Sequence, residues 1–194
     1  MKIIFLDIDG VLNCEEAYLS GECKYVEWTS PEGDPEHHQA FCSWNKEWLN
    51  KLIEESGANI VISSTWRSSG IEWLRRVWKI EGMSGEIIGV TSVLRNGSLD
   101  YTIPRGCEID KWLADTGFYH INWDREQQDM VIEKSGIENY LIIDDDSDML
   151  YKQRNHFVHV LPSPRNKKGF TRDHYIEAMQ KLSWTVTEQT YGIQ

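Results

Sequence analysis

KIIFLD, residues 2–7, is an unbroken apolar run that ends in a carboxylate. A strand with water on one face alternates apolar and polar residues. A run without alternation needs cover on both faces, as in a parallel sheet between helices. The pattern recurs in NIVISS (59–64), EIIGVT (86–91), NYLIID (139–144) and HFVHVL (156–161), with amphipathic stretches between the runs. Strands alternating with helical stretches predict an α/β protein with a central parallel sheet and three layers.

Helices are expected in the intervals. Over 43–56, Trp44, Trp48, Leu49, Leu52 and Ile53 share one face, and Gly57 follows as a stop. Ser69-Gly-Ile-Glu72 has the form of a capping box ahead of the stripe Ile71, Leu74, Val77 and Trp78. Further helices are read over 107–116 and 125–135, and from a Thr171 cap to about Ser183. Residues 14–43 hold Pro31, Gly33 and Pro35 among polar residues and read as a long loop with room for a hairpin.

The chain of 194 residues suits a single domain spanning 1–194, with 14–43 as a small insertion. A formal charge of −11 argues against unspecific adhesion to nucleic acid or anionic membrane, although a bound divalent cation can reverse the sign over one cleft. Cys14, Cys23, Cys42 and Cys107 lie far apart without a CxxC pair, which suits reduced thiols. No leader pattern opens the chain and no apolar run approaches the ~20 residues of a membrane helix, so a cytoplasmic protein without membrane contact is expected.

In an open parallel sheet, ligands bind beyond the carboxyl ends of the strands. The first run delivers Asp7 and Asp9 there. The second delivers Ser63, Ser64, Thr65 and then Arg67. The fourth delivers Asp144, Asp145, Asp146 and Asp148. PRGCEIDKWL (104–113) places Arg105 at a helix start. Clustered carboxylates call for a hard cation such as Mg²⁺. Hydroxyls and free amides at a strand-to-helix turn hold an anion such as phosphate, and a nearby basic residue balances it.

These residues resemble the haloacid dehalogenase (HAD) superfamily of phosphohydrolases. FLDIDGVLN is similar to its first motif, VISST to the second and LIIDDDSDM to the fourth, with Arg105 or Lys111 as the single basic residue of the third. SSTWR, RGCEI, IDDDSDM and a late GFT resemble, more narrowly, the HAD domain of Swiss Army Knife RNA repair proteins.

The resemblance implies a Rossmann-like core and an aspartyl-phosphate mechanism with Mg²⁺ as cofactor. Asp7 is then the nucleophile. Asp9 is the acid/base, with its backbone carbonyl on the metal. Asp145 completes the metal shell, with Asp144 and Asp148 as rival or supporting ligands. Ser64 or Thr65 holds the phosphoryl group together with Arg105. Arg67, two residues after Thr65, resembles the S-x-R arrangement of polynucleotide phosphatases and favours Thr65. Lys111 lies inside its helix, so Arg105 is preferred.

Plainer readings stand beside these. Trp66 reads as packing more readily than as a platform for a nucleobase. Trp44, Trp48, Trp73, Trp78 and Trp112 sit at helical spacing and read as core. Cys23, His37, His38 and Cys42 match no common zinc spacing. Arg165-Asn-Lys167-Lys168 is a candidate contact for a nucleic-acid backbone. The intervals leave no room for a large cap domain, so the cleft is open enough for polynucleotide ends. The substrate expected is a phosphate ester on a nucleotide or nucleic-acid terminus. A small-molecule phosphatase acting on nucleoside monophosphates or sugar phosphates is one alternative, and a non-catalytic phosphate-recognition module is the other.

Overall fold

The computed structural model describes residues 1–95, 103–118, 120–124, 129–133, 136–161 and 168–183. Its central sheet is built from β1 (Lys2–Leu6), β4 (Asn59–Ile62), β5 (Ile87–Val90), β8 (Asn139–Asp144) and β9 (Phe157–His159), every pairing parallel, in the order β5-β4-β1-β8-β9. The chain moves from β1 to one side for β4 and to the other for β8. The order therefore reverses at β1, and that is where a crevice opens beyond the strand ends.

The sheet is covered on both faces, as the unbroken apolar runs require. Ile4, Leu6, Ile60, Ile62, Leu141 and Ile143 meet α2 (Ser43–Ser56), α3 (Ile71–Ile80) and α5 (Arg172–Ser183) through Leu49, Leu52, Leu74, Val77 and Leu182. On the other face Ile3, Phe5, Val61 and Ile142 meet Ile109 and Leu113 of α4 (Arg105–Asp115). The expected three-layer α/β architecture is thus present, without a large cap.

The interval 14–43 holds a short helix α1 (Glu15–Ser20) and an antiparallel hairpin of β2 (Tyr25–Thr29) and β3 (Pro35–Gln39). This flap fills the small insertion expected over 14–43, with a hairpin in it. The late GFT returns to its base. Phe170 is buried, and its amide donates to the Val11 carbonyl at 2.9 Å. Gly169 has a φ of 66° and packs so closely on Val11 and Asn45 that a β-carbon would not fit.

Three expectations need correction. The stretch 125–135 is not a helix where it is described. β6 (His120–Asp124) and β7 (Asp129–Glu133) pair as an antiparallel ladder from Asp124↔Asp129 to His120↔Glu133; 125–128 and 134–135 lie outside the described residues. Ile121, Val131 and Ile132 are β-branched and lose rotamer freedom in a helix, which favours pleated backbone. Ser69 does not cap α3. It ends a 3-10 turn (Thr65–Ser69), and Gly70, at a φ of 88°, starts the helix without a side-chain cap. The fifth strand spans only 157–159, because Tyr151–His156 winds into a 3-10 turn before it.

Candidate active site

Asp7 stands one residue beyond β1, and its amide extends the ladder to the Ile143 carbonyl at 3.0 Å. The strand stops there. Val11, Leu12 and Asn13 all turn back to the Ile8 carbonyl, and Ile8 is buried in the core. The tight turn, rather than strand alternation, therefore sets Asp7 and Asp9 apart. Asp7 is buried, whereas Asp9 is exposed and accepts a hydrogen bond from Trp66 Nε1 at 2.9 Å.

Asp144 ends β8, next to β1, and Asp145 follows it. One carboxylate oxygen from each of Asp7, Asp144 and Asp145 lies within 4.8 Å of the others. Gly10 makes this approach possible. It has a φ of 77°, and a β-carbon on it would overlap the Asp145 carboxylate. His159 Nε2 donates to the Asp145 carbonyl at 3.0 Å, and the Asp146 amide donates to Asp144 Oδ1 at 2.9 Å.

Arg105 enters from the start of α4. Its Nη1 lies 2.7 Å from Asp7 Oδ1 and 3.4 Å from Asp144 Oδ2, and it also donates to the Ser63 carbonyl. Its backbone amide donates to Asp148 Oδ2 at 2.7 Å. Gln153, reaching from the 3-10 turn after β8, holds the Gly106 carbonyl at 2.9 Å. Lys111 is not brought to the cluster. It is exposed, and its ammonium bonds Asp115 at 2.6 Å, one helical turn further on.

After β4, Ser64 is buried and its hydroxyl accepts from the Trp66 amide at 3.4 Å, near enough to Asp7 to favour its ionised form, while Thr65 is exposed at the start of the 3-10 turn. Arg67 turns inward. Its Nη1 donates to the carbonyls of Ser63 (2.7 Å) and Ser64 (3.2 Å), and its Nη2 pairs with Glu108 at 2.6 Å. Glu108 Oε1 also accepts from the Leu94 amide at 2.9 Å. Sequence reasoning missed Glu108, and the signal was a carboxylate on the apolar face of a helix, beside Ile109. The two side chains are only 10% and 6% exposed. Glu108→Ala should therefore strand a buried guanidinium and destabilise the protein by about 3–5 kcal/mol. Urea unfolding measures this, and a loss below 1 kcal/mol, the worth of an exposed pair, contradicts it.

Burial raises the Asp7 carboxyl above its usual range, against the opposing pull of Arg105. Burial, and then the charge of Asp7, push Asp144 up to about 8. The same two causes push Asp145 to about 6. Arg105 stays protonated in spite of its burial, because Asp144 and Asp7 surround it. When ionised, three carboxylates against one guanidinium leave two uncompensated negative charges. Asp144 Oδ2 is buried without a hydrogen bond. An all-oxygen donor set with a surplus charge and an orphaned oxygen fits a hard divalent cation such as Mg²⁺.

The family described as the HAD domain in Swiss Army Knife RNA repair proteins matches residues 3–175. The chain belongs to this family. No curated protein matches the chain. Membership suggests phosphatase-like chemistry for this HAD domain; HAD proteins generally use Mg²⁺, and an acidic cluster is present here.

Other residues singled out in the sequence lie away from the cluster of this HAD domain. Among the described residues no zinc cluster forms: His38 pairs with Glu81 at 2.8 Å, and the Cys42 and Cys14 sulfurs lie 3.9 Å apart. All four cysteines are free. Arg165 and Lys167 lie outside the described residues, and the Lys168 carbonyl accepts from Trp44 and Asn45. Among the described residues no helix is long and apolar enough to cross a membrane.

Proposed function

We propose that the protein is a Mg²⁺-dependent phosphomonoesterase that works through an aspartyl-phosphate on Asp7 and removes phosphate from nucleotide or polynucleotide ends. The observation that carries this reading is the meeting of Asp7, Asp144, Asp145 and Arg105 where the strand order reverses. The side chains of Asp7, Asp144 and Asp145 and the backbone carbonyl of Asp9 are the donors assigned to the metal. When bound there, Mg²⁺ would supply positive charge against the carboxylates and the phosphoryl oxygens. Asp148, which holds the Arg105 amide, is assigned a positioning role.

In the proposed reaction an Asp7 oxygen attacks phosphorus, and the bond from phosphorus to the leaving oxygen breaks. Asp9 gives that oxygen a proton. Asp9 then takes a proton from water, whose oxygen attacks phosphorus, and phosphate leaves as the Asp7 carboxylate is restored. Arg105 and the hydroxyl of Ser64 hold the phosphoryl oxygens. Thr65 remains the alternative hydroxyl, and Arg67 supports the turn that carries both. The flap is a minimal insertion rather than a large cap, and residues 1–194 are read as one HAD-like domain acting in the reducing setting its free thiols suit.

The test compares Mg²⁺-dependent phosphate release from a 3′- or 5′-phosphorylated oligonucleotide with release from the matching mononucleotide. The oligonucleotide is expected to be turned over with a kcat/KM at least about tenfold higher. Preference for the mononucleotide or for a sugar phosphate makes the protein a small-molecule phosphatase.

A further inference from the structure

An open groove of about 450 Å³ lies between the flap and the turn after β4, lined by Tyr25, His37, Thr65, Trp66, Ser68 and Ser69 among others. It adjoins Asp9 through Trp66. Trp66, one wall of the groove, donates its indole N–H to Asp9. On the flap side, Tyr18 donates at 2.7 Å to Gln39, another lining residue. Trp66 therefore sets the groove one side chain away from the group proposed to protonate the leaving oxygen.

The lining selects for a particular kind of body. No lining residue is Asp, Glu, Lys or Arg, although the chain carries a charge of −11. The groove therefore neither attracts a cation nor supplies a partner for a second phosphate. Glu27 lies outside it, in the adjoining opening along the hairpin. Tyr25 is 70% exposed, unusual for a large ring, and meets the His37 ring edge to face with centroids 5.7 Å apart. Trp66 is packed on Phe41 and Trp73 at 5.9 and 5.7 Å, so it serves as wall and Tyr25 as platform. Thr65, Ser68 and Ser69 add exposed hydroxyls.

A flat, uncharged, hydroxyl-bearing group matches this surface. We propose that the groove seats the nucleoside from which phosphate is removed, with its base on Tyr25 and its ribose among the hydroxyls of the turn. The inference rests on the phosphatase reading and names the leaving group for it.

The probe is 2-aminopurine riboside, a fluorescent nucleoside without a phosphate, so its binding is read without turnover. The parent should quench it saturably at millimolar concentration. Tyr25→Ala should weaken binding at least about tenfold, and Tyr25→Phe should restore it. Circular dichroism melts confirm that each variant is folded. Free ribose at equal concentration should not displace the probe. Absence of saturable quenching, undiminished binding in Tyr25→Ala, or displacement by ribose alone overturns the proposal. Phosphate release from phenyl phosphate by the parent is measured alongside. If it is absent while Tyr25-dependent binding is present, the groove stands as a nucleoside site and the phosphatase reading falls.

Discussion

Asp7→Asn is expected to lower Mg²⁺-dependent phosphate release from phenyl phosphate by at least about a thousandfold without loss of the fold. The substitution keeps the shape of the side chain and one oxygen, so Arg105 and Ser64 retain an acceptor. It removes the second anionic oxygen, and a neutral amide is a poor nucleophile toward phosphorus. Stability should not suffer. The charge of Asp7 is what raises Asp144 and Asp145 once burial has acted, so its removal relieves both. Arg105 also keeps the Ser63 carbonyl and Asp144. A phosphate assay and a thermal melt on one preparation separate the two effects. Residual activity above about a tenth of the parent removes Asp7 from the chemistry, and a lowered melting temperature with lost activity shows a folding defect instead.

The parts of this arrangement that were legible in the sequence are those set by local pattern. KIIFLD and NYLIID are apolar without alternation, which only a doubly covered strand explains, and β1 and β8 are fully paired neighbours. Two acidic runs at the ends of such strands then have to meet. The choice of Arg105 over Lys111 also followed from local geometry. Six residues along a helix turn the side chain about 120° away from its starting direction. Lys111 accordingly faces Asp115 rather than the crevice.

What was not legible depends on partners distant in sequence or on competing local states. Arg67 and Glu108 lie 41 residues apart, and nothing in either segment announces the other. The stretch 125–135 is expected to be helical, whereas 129–133 forms strand β7. The pairing with 120–124, which decides between them, is a contact that periodicity does not contain. At Ser69 the capping-box pattern was present, but the residue was already committed to the preceding 3-10 turn. Trp66 packs through its faces, as its sequence context suggests, but the indole N–H that reaches Asp9 depends on how the turn is folded.

The stabilisation that Mg²⁺ gives the protein is expected to grow with pH between about 5.5 and 8. A carboxyl whose folded pKa is raised holds its proton more tightly in the folded state than in the unfolded one. Its contribution is therefore full below the unfolded value near 4 and is lost as pH climbs to the folded value. Burial and then Asp7 raise Asp145 to about 6 and Asp144 to about 8, and Asp7 itself is raised by burial. Metal-free protein thus loses stability across that window as three crowded carboxylates ionise. His174 acts in the opposite sense. Burial lowers its pKa, so its share of stability rises with pH. It lies on α5 and contacts Phe170 and Thr171, so the largest cause of its shift, burial, is the same with and without metal. The difference between melts in Mg²⁺ and in chelator isolates the cluster. Mg²⁺ must displace protons to bind at low pH and binds ionised carboxylates directly at high pH. At a concentration a hundredfold above its dissociation constant a ligand stabilises by about 2.7 kcal/mol. For a chain of this size that is roughly 5–10 °C. The difference should approach that range near pH 8 and shrink markedly by pH 5.5. A difference that stays flat across the window, or is zero throughout, means that Asp7, Asp144 and Asp145 do not share a cation.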